Sequence, residues 1–242
     1  MLPTLQIIQF NMIELISIIE IFVAALFAFI LTIRVSFKYK ENKKRSILLF
    51  VLIFLFLGSA LVFLGSNRIV LFTSNHQFTR FLLNNMALIF SFVVVALFDM
   101  FSFEMTYPDE VKKLTFIVIV DLIFLSIWFL LNQPSPAING DLIYPNYVIL
   151  IALPFLLPLI AIPILVFLIY TIRNLNKSRP GALRIATMGI AQIIITISFI
   201  SELLGFFEII ALFIRLGFVI YAIMMYISIV MPDWYKKAIG WD

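Results

Sequence analysis

Charged side chains inside long apolar runs are the residues with which this chain could do chemistry, and Arg215 is the most telling of them. It lies about nine residues into the apolar run that follows Gly205. At ~1.5 Å per helical residue it lies ~13 Å from the helix end, close to the middle of a hydrocarbon layer ~30 Å thick. Lipid offers a guanidinium no hydrogen-bond acceptor, so Arg215 requires a protein partner or a hydrated cavity.

Five further polar residues are predicted in the same half of the membrane as Arg215. They are Glu20, Asn84, Asn85, Glu202 and Glu208. One interpretation is an outward-facing pocket in which Arg215 binds an anionic or carboxylate ligand and Asn84 or Asn85 orients it. A second is a structural ion pair between Glu20 and Arg215, with Glu202 and Glu208 hydrated at the interface. A third is a transport pathway, and the sequence leaves all three open.

A second pair of ionisable residues, Asp99 and Asp121, is predicted in the other half of the membrane. Carboxyl groups at similar depth on adjacent helices repel each other, so one is expected to be protonated or a cation to bridge them. Such a pair could move protons or cations. Alternatively, each carboxyl group bonds a neighbour or pairs with a basic residue, for which the sequence offers Lys112, Lys113 and Arg184.

Signatures of catalysis and of cofactor or metal binding are not found in this sequence. It contains one histidine, His76, and no cysteine. Neither a Ser-His arrangement, an H-E-x-x-H motif nor a glycine-rich phosphate loop occurs. We therefore expect no enzyme activity, no cofactor and no metal site.

The elements that must position these residues follow from the composition. The chain is 64% hydrophobic and 12% charged, with a mean hydropathy of +1.15, whereas globular domains carry about 25% charged residues. Lipid must therefore be its solvent, and runs of this length without alternation predict helices. The prediction is one all-α domain over residues 1–242, a polytopic bundle of seven transmembrane helices at approximately 12–33, 46–64, 78–103, 114–131, 148–172, 183–204 and 206–231.

The basic residues predict the orientation of the bundle. Of the 17 lysines and arginines, fourteen fall in the connections after the first, third and fifth runs or near the carboxyl terminus. Arg68 and Arg80 fall on the opposite side. Because short cytoplasmic connections accumulate positive charge, the amino terminus is predicted outside and the carboxyl terminus in the cytoplasm of a multi-pass cell-membrane protein. The net charge of +4 occurs in short blocks between apolar runs, which excludes nucleic acid as a partner.

Two short segments carry resemblances to known families. The exit segment Met231-Pro232-Asp233-Trp234-Tyr235-Lys236-Lys237 and the seven-helix plan resemble the amino-terminal sensor regions of prokaryotic, especially archaeal, histidine kinases. Arg215-Leu216-Gly217-Phe218 is similar to the Lys-x-Gly-Phe segment around the retinal-bearing lysine of microbial rhodopsins. Arginine cannot form a Schiff base, and none of the lysines is predicted to be buried in the membrane, so retinal is not expected.

The sensor resemblance implies a receptor-like module that passes a signal to a separate protein. In this interpretation a small ligand arrives from the outside, and a partner binds the basic cytoplasmic connections. The alternatives are a small secondary transporter or channel for an ion or small anionic solute, and a structural subunit of a membrane complex. No internal repeat with paired interrupted helices supports transport.

Overall fold

A computed structural model describes residues 12–74, 76–106, 109–136, 142–204 and 208–241. The helices in these ranges are α1 (Met12–Asn42), α2 (Arg45–Thr73), α3 (Gln77–Thr106), α4 (Val111–Leu131), α5 (Asn146–Leu175), α6 (Arg179–Leu204), α7 (Glu208–Val230) and α8 (Asp233–Ile239). A two-residue antiparallel ladder, β1 (Ser135–Pro136) with β2 (Leu142–Ile143), lies between α4 and α5. The predicted all-helical fold is confirmed.

Helices α1 to α6 are each long and apolar enough to cross a membrane. Residues 215–230 of α7 pass the same test together with α8, to which they are bent by 83°. The described residues therefore include six or seven helices compatible with a multi-pass membrane protein. Several helices extend beyond the predicted apolar runs, because elongating a formed helix gains one hydrogen bond for each residue fixed. As a result Arg68 lies on α2, while Arg80, which is already inside the third predicted run, lies in the first turn of α3.

Six helices close into a ring. In the order α1, α2, α3, α5, α6 and α7, each packs against the next, and α7 packs against α1. Helix α4 lies outside this ring, against α3 and α5. One core fills the ring around Phe54, Phe98 and Tyr221, and a second around Leu125 and Phe129 holds α4 in place. We call the end with the α1–α2, α3–α4 and α5–α6 connections the basic end, and the opposite end, with β1 and β2, the ladder end.

The basic end closes with α8. Met231, directly after α7, has a positive φ of 53°, and Pro232 cannot continue a helix, so the chain turns. Pro232 is the N-cap of α8, and Gly240 ends it with a φ of 72°. The Tyr235 hydroxyl lies 2.9 Å from the Thr187 hydroxyl, which anchors α8 on α6.

Gly217 lets α6 and α7 approach closely. A Cβ atom at this position would collide with the Ser198 Oγ, whereas the next nearest atom, Ile194 Cγ2, would be 3.4 Å away. We expect Gly217→Ala to lower the free energy of unfolding by about 1–3 kcal/mol, because overpacking strains the helix contact. Adding Ser198→Ala should restore most of this loss. An SDS-unfolding titration of purified protein measures both effects, and a double variant no more stable than Gly217→Ala would contradict this contact.

Candidate functional site

A polar cavity of about 80 Å³ lies at the ladder end, between α2, α3, the residues around β2, and Phe199 of α6. Its polar lining side chains are Asn67, Arg68, Arg80, Asn84, Ser91 and Tyr144. Arg80 is only 3% exposed and Asn67 only 5%. The described residues that line the cavity include no aspartate or glutamate. The recess therefore concentrates two positive charges and several hydrogen-bonding groups inside an otherwise apolar wall.

Helix geometry explains why these residues meet. Arg80, Asn84, Ala87 and Ser91 follow each other at intervals of four, three and four residues, so they share one face of α3. The connection between α2 and α3 is short, so the last turns of α2 lie beside the first turns of α3. This brings Arg68 and its neighbour Asn67 to the same recess as Arg80.

Tyr144 joins this face of α3 to the β2–α5 connection. Asn84 Nδ2 donates to the Tyr144 hydroxyl at 3.3 Å, and that hydroxyl donates to Asn85 Oδ1 at 3.4 Å. Asn85 Nδ2 in turn donates to Gln133 Oε1 at 3.1 Å. The Tyr144 ring packs edge-on against Phe129, with 4.8 Å between the ring centroids. This chain of contacts fixes one wall of the cavity.

The Tyr144 phenol keeps its proton in this setting. Burial raises the pKa of Tyr144 above that of an exposed tyrosine, and the hydrogen bond from Asn84 acts in the opposite direction. Burial is the larger effect because it penalises the phenolate. The hydroxyl therefore remains a donor throughout the physiological pH range, and the arginines remain the charged groups of the cavity.

Arg215 occupies a different place. It is 7% exposed, and its Nη1 donates to the Ser17 Oγ of α1. Glu20, one turn further along α1, feels the charge of Arg215 electrostatically, but in the part of the chain that the structure describes no salt bridge joins the two. Neither residue lines the polar cavity. The contact with Ser17 makes Arg215 a link between α1 and α7.

The six residues predicted for the ligand pocket are thus divided by the structure. Asn84 lines the cavity and Asn85 supports it through Tyr144, while Arg215 and Glu20 lie at the α1–α7 contact. The side chains of Glu202 and Glu208 lie outside the described residues. The sequence placed Arg68 after the second predicted run and Arg80 near the start of the third, both on the outer side, and neither was named as a site residue. The spacing of Arg80, Asn84 and Ser91 on one face of α3 is a signal for Arg80, whereas no local pattern indicates Arg68.

At the basic end, Asp99 lies in the interior and Asp121 beside it. Asp99 is 0% exposed, and neither of its carboxyl oxygens has a hydrogen-bond partner among the residues described. The Asp121 carboxyl on α4 is near enough to act on it electrostatically. Arg184, one of the predicted partners, instead donates its Nε to the Ser228 carbonyl at 2.7 Å, at the end of α7. Asp121 is therefore near enough to Asp99 to interact with it electrostatically, while the Arg184 Nε bonds the end of α7.

We expect Asp99→Asn to raise the free energy of unfolding by about 1 kcal/mol. The amide has nearly the shape of the carboxyl group but cannot carry the charge that both burial and Asp121 oppose. Asp121→Asn should give part of the same gain. The measurement is SDS unfolding in matched micelles. If both single variants were instead less stable than the wild type, the two carboxyl groups would be sharing a proton or a cation.

Comparisons of this chain with protein-family models, with curated proteins and with solved structures find no match. The two resemblances drawn from short segments are not tested by these comparisons. The function must therefore be argued from the residues of the chain itself.

Proposed function

We propose that this chain is a receptor-like membrane module that binds an anionic ligand at its ladder end and passes a signal to a separate protein at its basic end. It is a seven-helix bundle with its amino terminus outside and its carboxyl terminus in the cytoplasm. The observation that carries the proposal is the cavity lined by Arg68 and Arg80. Arginines at membrane depth are rare and mark ligand or ion pathways, and Arg80 is almost fully buried at the wall of this cavity.

The chemistry of the cavity favours anion binding. A guanidinium presents five N–H donors in a planar fork that matches the two oxygens of a carboxylate or the oxygens of a phosphate. Asn67 and Asn84 add side-chain amides to the same wall. Amides also accept hydrogen bonds, so they can orient a ligand hydroxyl or amide group. The cavity thus offers positive charge to bind an anion and amide groups to orient it.

The charge distribution supports the proposed orientation. Exposed basic residues cover the basic end, among them Lys43, Lys44, Lys112 and Lys177. Excess positive charge in short connections marks the cytoplasmic side. The ladder end then faces outside, where a small solute reaches the cavity, and the basic end offers a surface to a cytoplasmic partner.

Helix α6 is the element that could relay occupancy from one end to the other. Its Phe199 lines the polar cavity. Nearer the basic end, its Thr187 bonds Tyr235 of α8 and its Arg184 bonds the last turn of α7. A shift of α6 on ligand binding would therefore move both α7 and α8. Coupling of this kind requires that the ligand bind two arrangements of α6 with different affinities.

A reporter at the basic end tests this proposal. The chain has no cysteine, so Lys237→Cys on the exposed side of α8 can carry a single environment-sensitive fluorophore. We expect inorganic phosphate, acetate or succinate, added to protein in nanodiscs, to change its emission saturably. Arg80→Gln should need a roughly ten- to 150-fold higher anion concentration for the same change. Arg173→Gln, which replaces an exposed arginine at the basic end, should respond as the wild type does. If none of these anions, nor hexyl, octyl or decyl phosphate, changed the emission, the proposal would be contradicted.

A transporter is the second candidate, and the buried Asp99 favours it. A carboxyl group without a hydrogen-bond partner at membrane depth is a typical feature of proton-coupled carriers. Proteoliposomes separate the two functions. Accumulation of labelled anion that depends on a pH gradient and disappears in Asp99→Asn would favour transport, whereas emission changes without accumulation would favour signalling.

A further inference from the structure

A second cavity, of about 170 Å³, lies beside the polar one, between α3, α5 and α6. Its lining is apolar apart from Ser91, Gln192 and Thr196. Leu88, Ser91 and Phe199 line both cavities. The two spaces are therefore neighbours that share a wall.

Along α3, from its amino-terminal end, the polar cavity comes first and the apolar cavity second. On this helix the polar cavity is lined by residues from Arg80 to Ser91, and the apolar cavity by residues from Leu88 to Phe98. At ~1.5 Å per residue, each stretch covers ~15 Å of helix. The positive charge thus lies near the ladder end, and the apolar space extends from there toward the middle of the bundle.

The apolar cavity also has an exposed side. Leu153 and Leu157 of α5 are 40% and 51% exposed, and Ile200 of α6 is 37% exposed. These side chains line the cavity and at the same time reach the outer surface of the bundle. The apolar cavity is therefore bounded at α5 and α6 by side chains that also reach the outer surface of the bundle, and we call this partly exposed cavity the cleft.

From this arrangement we propose that the ligand is a single-chain anionic amphiphile. Its carboxylate or phosphate head binds Arg68 and Arg80, and its alkyl chain lies in the cleft between α3, α5 and α6. This inference rests on the proposed anion site and adds the class of ligand. A closed apolar cavity of about 150 Å³ holds a benzene ring, so this cleft has room for about six carbon atoms of the chain. The further methylene groups of a longer chain leave water at the exposed side of the cleft.

Equilibrium dialysis with radiolabelled hexyl, octyl and decyl phosphate tests the inference. The protein is held in nanodiscs of a zwitterionic lipid, and empty nanodiscs correct for partition into the bilayer. We expect saturable binding whose affinity, referred to free ligand in water, rises about fourfold for each added methylene group. Arg80→Gln should lower the affinity at every chain length, by roughly ten- to 150-fold.

Two neighbouring residues of α6 provide a matched pair of variants. Thr196 lines the cleft, whereas Ile197 is 56% exposed and does not line it. Thr196→Phe should fill the cleft and lower the affinity for decyl phosphate at least about tenfold, while Ile197→Phe should leave it within about twofold. Both variants should unfold at the same SDS fraction as the wild type, which separates loss of the cleft from loss of the fold.

The outcomes distinguish the two proposals. If inorganic phosphate and all alkyl phosphates bind equally well, or if Thr196→Phe binds decyl phosphate as the wild type does, the amphiphile is excluded and the anion site remains. If no phosphate of any chain length binds saturably, the anion site itself is excluded. An affinity that rises with the length of the alkyl chain and falls at least about tenfold in Thr196→Phe supports the inference.

Discussion

Replacing Arg80 by glutamine is expected to lower the affinity of the ladder-end cavity for decyl phosphate by roughly ten- to 150-fold. A hydrogen bond to a charged group contributes about 1.5–3 kcal/mol, and Arg80 is 3% exposed, where solvent screens its charge least. Glutamine keeps hydrogen-bonding groups but loses the charge and the planar fork. Dialysis against the labelled ligand in nanodiscs gives the ratio of the two affinities.

Two substitutions serve as controls for that result. Arg80→Lys keeps the charge without the fork, so its affinity should fall between those of the wild type and Arg80→Gln. Arg173→Gln removes an exposed arginine at the basic end and should bind as the wild type does. Equal losses in Arg80→Gln and Arg173→Gln would mean that overall charge, not the cavity, attracts the ligand.

Arg215→Ala should lower the free energy of unfolding by about 3 kcal/mol. The change removes the hydrogen bond to Ser17 and the positive charge that acts on Glu20, whose Oε2 is buried without a hydrogen-bond partner among the described residues. Without Arg215 the half-buried Glu20 carboxyl loses its nearby positive charge, and Ser17 loses its hydrogen-bond donor. SDS unfolding of purified protein measures the loss.

A second substitution makes this prediction specific. Glu20→Gln, added to Arg215→Ala, should recover part of the lost stability, because no uncompensated carboxylate then remains. Decyl phosphate should still bind the double variant, since neither residue lines the cavity. If Arg215→Ala is as stable as the wild type but no longer binds the ligand, Arg215 belongs to the ligand site and the division into two sites is wrong.

The helices could be predicted from the sequence because lipid leaves the backbone few alternatives. Each long apolar run appears as a helix, and the differences lie at the ends. Arg68 shows why the ends matter. It lies where the apolar character fades, so a rule based on hydropathy assigns it to a connection, whereas α2 continues into the polar region. Such extensions determine which polar residues can line a cavity.

The residues of the polar cavity could not be predicted from the sequence alone, because they come from distant parts of the chain. Tyr144 reaches Asn84 from 60 positions further along the chain, and Phe199 arrives from α6. Nothing in the local spacing indicates that these residues share a recess. The hydrogen bond of Arg215 is to Ser17 and not to Glu20. Ser17 and Glu20 lie on the same face of α1, so the position of α7 along the α1 axis decides which of the two Arg215 bonds. By contrast, Pro232 and Gly240 are readable signals for the start and end of α8.

The most direct test of the anion site is the reactivity of a cysteine inside the cavity. Leu64 lines the cavity without contributing a polar group, so Leu64→Cys leaves Arg68 and Arg80 in place. In right-side-out vesicles, a membrane-impermeant methanethiosulfonate reagent should label this cysteine, decyl phosphate should slow the labelling, and Lys177→Cys at the basic end should remain unlabelled. Labelling of Lys177→Cys but not of Leu64→Cys, or labelling of Leu64→Cys at a rate that decyl phosphate does not change, would contradict an outward-facing anion site.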